Sequence, residues 1–284
     1  MQDSVFRSEY TVNCNDKLLD LSTPKVMGVL NLTPDSFFDG GKFMEEKKML
    51  GQVEKMLNEG AAIIDVGAVS TRPGSKPVSI KTEIERLIPA MKTLVKKFPT
   101  AVFSADTFRS IVAVKAIEAG AAIVNDISGG EMDKKMFQTV GELKVPYILM
   151  HMKGTPQTMQ KKPVYKDVVK ELIDFFQKRI FQLRKAGVHD IIIDPGFGFG
   201  KTTKHNYEIL RNLSLFKMLD CPVLVGISRK SMINKVLKTI PENALNGTTV
   251  LNTIALVNGA KILRVHDVKE AVEAVTLFTQ YSQE

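Results

Sequence analysis

Short runs of apolar, β-branched residues alternate along this chain with longer stretches in which apolar positions recur every three to four residues. The runs predict strands over 26–31, 62–67, 101–106, 122–127, 146–151, 190–194, 222–228 and 261–266. The stretches predict amphipathic helices over 45–58, 82–97, 109–118, 134–143, 165–185, 203–219, 231–237 with 247–257, and 268–281. The strand runs are almost continuously apolar, as expected where both faces of a parallel sheet are covered. A weak internal repeat marks the passage from helix to next strand: Glu59-Gly60-Ala61, Ala119-Gly120-Ala121, Ala186-Gly187-Val188 and Asn258-Gly259-Ala260. Glycine just past a helix fits the left-handed position that ends it, so these read as structural stops and not as ligand loops.

Eight such units in this length favour an α/β fold of the closed (β/α)8 TIM barrel type over an open doubly wound sheet. The first turn, Gly28-Val29-Leu30-Asn31, also lacks the G-x-G-x-x-G of dinucleotide-binding sheets. Ahead of the barrel, 10–13 and 17–21 flank Cys14-Asn15-Asp16 and predict a short N-terminal β-hairpin. No linker rich in Pro, Gly or Ser follows, so the expected division is a hairpin extension over 1–22 and one barrel over 23–284.

Composition then narrows the class. Apolar residues are 44% and charged residues 25%, which excludes disorder and fibrous repeats. No apolar run approaches the roughly 18–20 residues that span a bilayer. Met1-Gln2-Asp3-Ser4 has an early acid and no apolar signal core, and Cys14 and Cys221 lie far apart without metal-ligand spacing. A reducing, cytoplasmic compartment is expected. Lys+Arg number 39 against 31 Asp+Glu, a net charge of +8, which admits nucleic acid, an acidic membrane surface or a small anion as partner. Basic residues never exceed two in a row, they are interleaved with acids, and Trp is absent. Neither nucleic acid nor membrane is therefore the expected partner.

The distinctive chemistry lies where the strands end: Asn31, Asp65, Asp106, Asn125-Asp126, His151, Asp194, Ser228, and Arg264 with His266. In such a barrel these ends and their loops form the ligand-binding mouth. One subset suits an anion. Arg72 lies in a Gly/Pro-rich loop, and Arg264 and His266, two apart, point to one side of the last strand. Guanidinium forks take phosphate oxygens in pairs, and His adds a donor. Asn31 offers a neutral oxygen to Mg2+, which needs few protein ligands when it binds substrate phosphates. Arginines paired with Asp65 or Asp267 as structural salt bridges are the competing reading.

A second subset suits a flat, polar heterocycle. Asp106, Asn125 and Asp194 supply acceptors and an amide, and Lys230 a charged donor. Carboxylates buried together are costly unless a partner donates to them. The alternative is a polar network bracing the barrel. The loops 31–41 and 67–76 are long and glycine-rich, as lids that exclude water are. The run 194–201 places two Phe among three glycines before Lys201, without the G-x-x-x-x-G-K-[ST] spacing of a phosphate loop.

At these residues the sequence resembles the dihydropteroate synthases, a family of pterin-binding barrels, from about residue 25 to 270. The shared motifs are N-L-T-P-D-S-F-F-D-G-G (31–41), S-T-R-P-G (70–74), D-T-F-R (106–109), N-D-I-S-G-G (125–130) and M-H-M-K-G-T-P-Q-T-M-Q (150–160). They continue with D-P-G-F-G-F-G-K (194–201), G-I-S-R-K-S (226–231) and R-V-H-D-V (264–268). The resemblance implies condensation of 6-hydroxymethyl-7,8-dihydropterin diphosphate with p-aminobenzoate, by an SN1-like departure of diphosphate. It implies that Asp106, Asn125, Asp194, Lys230 and Arg264 hold the pterin. Asp106, Asp194, Lys230 and Arg264 would carry the catalysis. Diphosphate would fall to Asn31, Arg72, Arg264 and His266, with Mg2+ at Asn31. Pro34, Thr71, Phe199, Ser228 and Lys230 would border p-aminobenzoate, the site at which sulfonamides compete. A homodimer packed through the last helices is also implied. Two departures stand out: Val69 replaces a glutamate common in relatives, and 244–249 lacks the arginine that often precedes its glycine.

Overall fold

The computed structural model describes residues 10–15, 17–32, 41–70, 78–159 and 163–282, with side chains from residue 45 onward in the helix that begins at Gly41. Strands β1 (Thr11–Cys14) and β2 (Lys17–Asp20) pair antiparallel, Cys14 facing Lys17. Then follow β3 (Lys25–Asn31), α1 (Gly41–Asn58), β4 (Ile63–Gly67), α2 (Ile80–Lys97), β5 (Val102–Asp106), α3 (Ser110–Glu118) and β6 (Ile123–Asp126). The chain continues through α4 (Met136–Leu143), β7 (Tyr147–Met150), α5 (Val168–Lys185), β8 (Ile191–Asp194), α6 (Thr203–Arg211) and β9 (Leu224–Val225). It ends with α7 (Ser231–Leu237), α8 (Leu245–Val257), β10 (Ile262–Val265) and α9 (Val268–Tyr281). The eight strands β3–β10 lie parallel in the order β8-β7-β6-β5-β4-β3-β10-β9. A parallel bridge between Ile193 and Val223 joins the two ends and closes the barrel.

The predicted alternation is the observed one, and the departures have local causes. The stretch 203–219 breaks at Asn212, whose backbone N–H and side-chain amide both turn to Glu208 O. That competition ends α6, and a 3-10 turn, Leu213–Leu219, takes over. Of the 222–228 run, Leu224–Val225 alone form a ladder strand; Val223 makes the single bridge to Ile193, and Pro222 has no N–H to extend it backwards. Helix α5 starts at Val168, where Asp167 accepts from Lys170 N at 3.0 Å. The four glycines that follow helices sit at φ +97, +103, +89 and +96, as their repeat predicts.

Strand alternation sorts the residues into two cores. Outward positions such as Ile64, Phe103, Val124, Leu149, Ile193 and Leu263 pack under the helices. Inward, one residue per strand forms a floor: Met27, Ile63, Val102, Ile123, Ile148, Ile192, Leu224 and Ile262. Val12, Cys14, Leu19 and Leu21 of the hairpin segment bury against that floor, so the hairpin plugs the bottom of the barrel. Each large apolar side chain so buried contributes about 1.5–3 kcal/mol. Polar ties hold the plug at the rim: Asn13 N donates to Asp190 Oδ2 at 3.2 Å, and Lys17 Nζ to Pro99 O at 2.6 Å.

Candidate functional site

Two residues beyond the floor, the inward positions become polar at Asp65, Ser104, Asn125, Asp194 and Arg264. Two further along stand Asn31, Gly67 and Asp106, and past the ends of their strands Ser228 and His266. Register fixes their level: Asn31 pairs with Gly67, Gly67 with Asp106, and Asp106 with Asn125. Gly67 leaves the space beside Asp106 open, since a Cβ there would stand 3.4 Å from the Asp106 carboxylate.

The centre of the mouth is an ion cluster. Arg264 donates through Nε to Asp65 Oδ2 at 2.7 Å, and its Nη2 lies 2.6 Å from Asp65 Oδ2 and 3.0 Å from Asp106 Oδ2. Asn125 Nδ2 donates to the same Asp65 oxygen at 3.0 Å. Asp65 Oδ1 is buried with no hydrogen-bond partner among the described residues. Burial and then the negative charge of Asp65 push the Asp106 carboxyl up to about 7, against the pull of Arg264. Burial likewise raises Asp194, opposed first by Lys230 and then by the Gly196 N–H, 2.7 Å from Oδ1. Lys230 is pushed down to about 8 by burial, with Asp194 opposing. Its Nζ donates to Phe197 O at 2.7 Å and stands 4.8 Å from the centroid of the Phe199 ring.

Beside this cluster Ser228 Oγ lies 3.0 Å from His266 Nδ1 and accepts from His266 N at 3.2 Å. Desolvation and Arg264 hold the His266 ring below the usual histidine range, while the residue keeps an exposed edge. The structure thus brings Asp106, Asn125, Asp194, Lys230 and Arg264 together, Phe199 with Lys230, and Ser228 with His266. Asn31 shares the level of Asp106 through the register and makes no side-chain hydrogen bond among the described residues. Pro34, Thr71 and Arg72, with most of the two loops that carry them, lie outside the described residues. Sequence reasoning left Asp65 at the edge of the site, although its inward parity in 62–67 was readable. It attached no role to Lys201, which turns out to be buried under the glycine loop.

The salt-bridge reading of the arginines finds both of its acids occupied: Asp65 by Arg264 and Asp267 by Arg229. Arg229 pairs with Asp267 and with the carbonyls of Pro241 and Glu242. Arg109 of the D-T-F-R motif pairs with the buried Glu83 and with Val78 O. Arg264 alone among them faces the mouth. Around Arg264 two acids, Asp65 and Asp106, share one guanidinium, which leaves acceptors in surplus there, as suits a ligand edge rich in N–H donors. A cavity of about 430 Å3 opens between the β7 exit and α5, walled by residues such as His151, Lys153, Tyr165 and Phe175; of the strand-end residues His151 is the one that lines it.

Residues 27–266 match the family described as pterin binding enzyme. The dihydropteroate synthase of Haemophilus influenzae is 44% identical over 256 residues, 89% of this chain and 92% of that protein. Among solved structures, the Yersinia pestis dihydropteroate synthase in a sulfonamide drug complex superposes with a TM-score of 0.91 at 39% identity, over 97% of this chain and 100% of that one. The Xanthomonas albilineans dihydropteroate synthase with 4-aminobenzoic acid gives a TM-score of 0.90 at 36% identity, over 97% of this chain and 99% of that one.

Proposed function

Because the chain belongs to the dihydropteroate synthases, within the pterin binding enzymes, we propose that its mouth residues divide the work of one condensation among three ligand groups. The reaction is a transfer in folate synthesis that joins 6-hydroxymethyl-7,8-dihydropterin diphosphate to p-aminobenzoate, releasing diphosphate and 7,8-dihydropteroate. The observation that carries the assignment of roles is the cluster around Arg264, in which buried acids stand in surplus over cations. Asp106, Asn125, Asp194 and Lys230 hold the pterin, whose N–H groups satisfy the acceptors. Arg264 commits Nε and Nη2 to the carboxylates, which leaves Nη1 for a phosphate oxygen. Arg72, His266 and Asn31 complete the diphosphate end. Phe199, Ser228 and Lys230, with Pro34 and Thr71, border p-aminobenzoate.

The chemistry follows from the electrostatics. The C–O bond breaks with its electron pair leaving on diphosphate, and Arg264, Arg72 and His266 are the donors toward that growing charge. The methylene cation left behind is conjugated with the pterin, and Asp106 and Asp194 favour it from the other side. The arylamine then forms the C–N bond as a neutral nucleophile and loses its proton to water, so it needs positioning more than a base.

Among the described residues no group of three His, Cys, Asp or Glu is arranged to hold a metal. The one neutral oxygen donor of Asn31 fits an ion that arrives with its waters on substrate phosphates. Asn31 would give one ligand to such a Mg2+, and the ion would neutralise part of the diphosphate charge.

Assembly and location extend the same reading. Val250, Ile254 and Val257 of α8 and Leu277 and Tyr281 of α9 are exposed apolar residues on the last two helices, which supports a homodimer through that face. Cys14 and Cys221 are free and lie in separate parts of the fold, and a chain without disulfides among the described residues is what a cytoplasmic enzyme would have. No helix among the described residues is long and apolar enough to cross a membrane. The test of the activity is an omission assay. 7,8-Dihydropteroate should form only when pterin diphosphate, Mg2+ and p-aminobenzoate are all present, and a complete mixture that yields none would refute the reading.

A further inference from the structure

The glycine loop that begins at Asp194 ends on Lys201, a lysine with no part in the reaction as described. Lys201 is 3% exposed, and its Nζ lies 3.0 Å from His151 Nδ1, 3.1 Å from His151 O, 3.0 Å from Gly196 O and 3.0 Å from Phe199 O. An ammonium has three N–H bonds, so four acceptors saturate it and leave no donor for a ligand. Burying such a group is costly unless it is fully hydrogen-bonded and balanced by charge. Burial indeed drives Lys201 well below the lysine range, and the Asp194 carboxylate opposes that shift.

The cage joins two pieces of chain. Two of its acceptors belong to the loop and two to His151, the first residue past β7 (Tyr147–Met150). The loop lies flat on that exit: a Cβ on Gly196, at φ +68, would stand 2.0 Å from His151 O, and one on Gly200, at φ +64, would stand 2.4 Å from Lys153 O. The same loop gives Phe197 O to Lys230 Nζ at 2.7 Å and holds the Phe199 ring beneath that ammonium. One lysine therefore grips the loop at Gly196 and Phe199, and the other grips it at Phe197.

We propose that Lys201 is a positioning residue, whose buried ammonium locks the 195–200 loop onto the β7 exit and so sets where Phe199 and Lys230 stand for the arylamine. This rests on the function proposed above. A second consequence is electrostatic. The charges of Lys230, Arg264 and Lys201 each pull the Asp194 carboxyl down against burial. Loss of the Lys201 charge raises Asp194, whose ionised form the reaction uses.

The experiment compares Lys201→Met and Lys201→Arg with the wild type in the full chain, by initial rates against p-aminobenzoate and against pH. In Lys201→Met the KM for p-aminobenzoate should rise roughly tenfold or more, the size of a lost buried charged hydrogen bond, with a smaller change for pterin diphosphate. The acidic limb of kcat/KM should also move to higher pH. Lys201→Arg keeps the charge, but its planar fork cannot rebuild a four-acceptor cage, so KM should rise while the limb stays in place. A Met variant with wild-type KM and an unmoved limb overturns the proposal. If the Met variant does not fold, a wild-type KM in the Arg variant overturns it instead. A wild-type enzyme that releases no diphosphate would refute the function itself, which keeps the two failures apart.

Discussion

Asp65→Asn is the sharpest probe of the cluster, because it should make the enzyme less stable and yet active at lower pH. Asp65 is fully buried, and its Oδ2 takes Arg264 Nε at 2.7 Å, Arg264 Nη2 at 2.6 Å and Asn125 Nδ2 at 3.0 Å. Hydrogen bonds to a charged group contribute about 1.5–3 kcal/mol each. The amide keeps one acceptor and sheds the desolvation cost of a carboxylate, so the expected net loss is about 2–3 kcal/mol, a fall in Tm of roughly 4–10 °C. The effect on Asp106 has the opposite sense. Asp106 Oδ2 and Asp65 Oδ2 lie within 3.0 Å of one Nη2, hence no more than about 6 Å apart. Two unit charges at that distance repel by about 3 kcal/mol at an effective dielectric near 20. That repulsion is part of what holds Asp106 at about 7, and without it the carboxyl should titrate at least about one unit lower. The reaction uses ionised Asp106, so activity is lost as pH falls through its pKa. The acidic limb of kcat/KM, measured by diphosphate release from about pH 5 to 9, should therefore shift to lower pH in Asp65→Asn. A limb that stays or moves up, or an unchanged Tm, would refute this account of the cluster.

Other substitutions separate the remaining roles. Asp106 has its carboxyl raised above the unfolded value of 3.8, so the folded state binds that proton more tightly, and stability falls as pH rises between the two values. Asp106→Asn escapes that penalty: its Tm near pH 8 should exceed the wild type, with the gap closing near pH 4, while diphosphate release drops about 10²–10³-fold; unchanged release would end the cation-stabilising role. Arg264→Ala strips the counter-charge from Asp65 and Asp106, so calorimetry should find both a lower Tm and lost diphosphate binding, and normal binding would contradict the clamp. Ile254→Asp, at an exposed position of α8, should convert a dimer to a monomer in light scattering; a wild type that is already monomeric disposes of the interface.

Particular residues show how far the sequence reached. Asp106, Asn125, Asp194 and Arg264 were readable as mouth residues because a strand fixes the side on which each side chain emerges. The post-helix glycines were readable because ending a helix there demands a left-handed φ. For the arginines, pairing with Asp65 or Asp267 was readable as an alternative, but not which arginine takes which acid. Arg109 and Arg229 sit in motifs as suggestive as that of Arg264, yet one is spent on Glu83 and the other on Asp267. Lys201, to which its motif gave no role, donates to the Gly196 and Phe199 carbonyls of its own loop.

The sequence by itself determined the eight βα units, their parity and the family, because apolar period and short motifs are properties of neighbouring residues. Only the tertiary structure decided that the hairpin closes the barrel floor, that Asp65 is the hub of the mouth, and which cations remain for a ligand. Arg264 and Asp65 are 199 residues apart along the chain and 2.7 Å apart in the barrel. A long, flexible cationic side chain takes the nearest buried acid that folding brings to it, and that choice is made across strands, where local pattern carries no record of it.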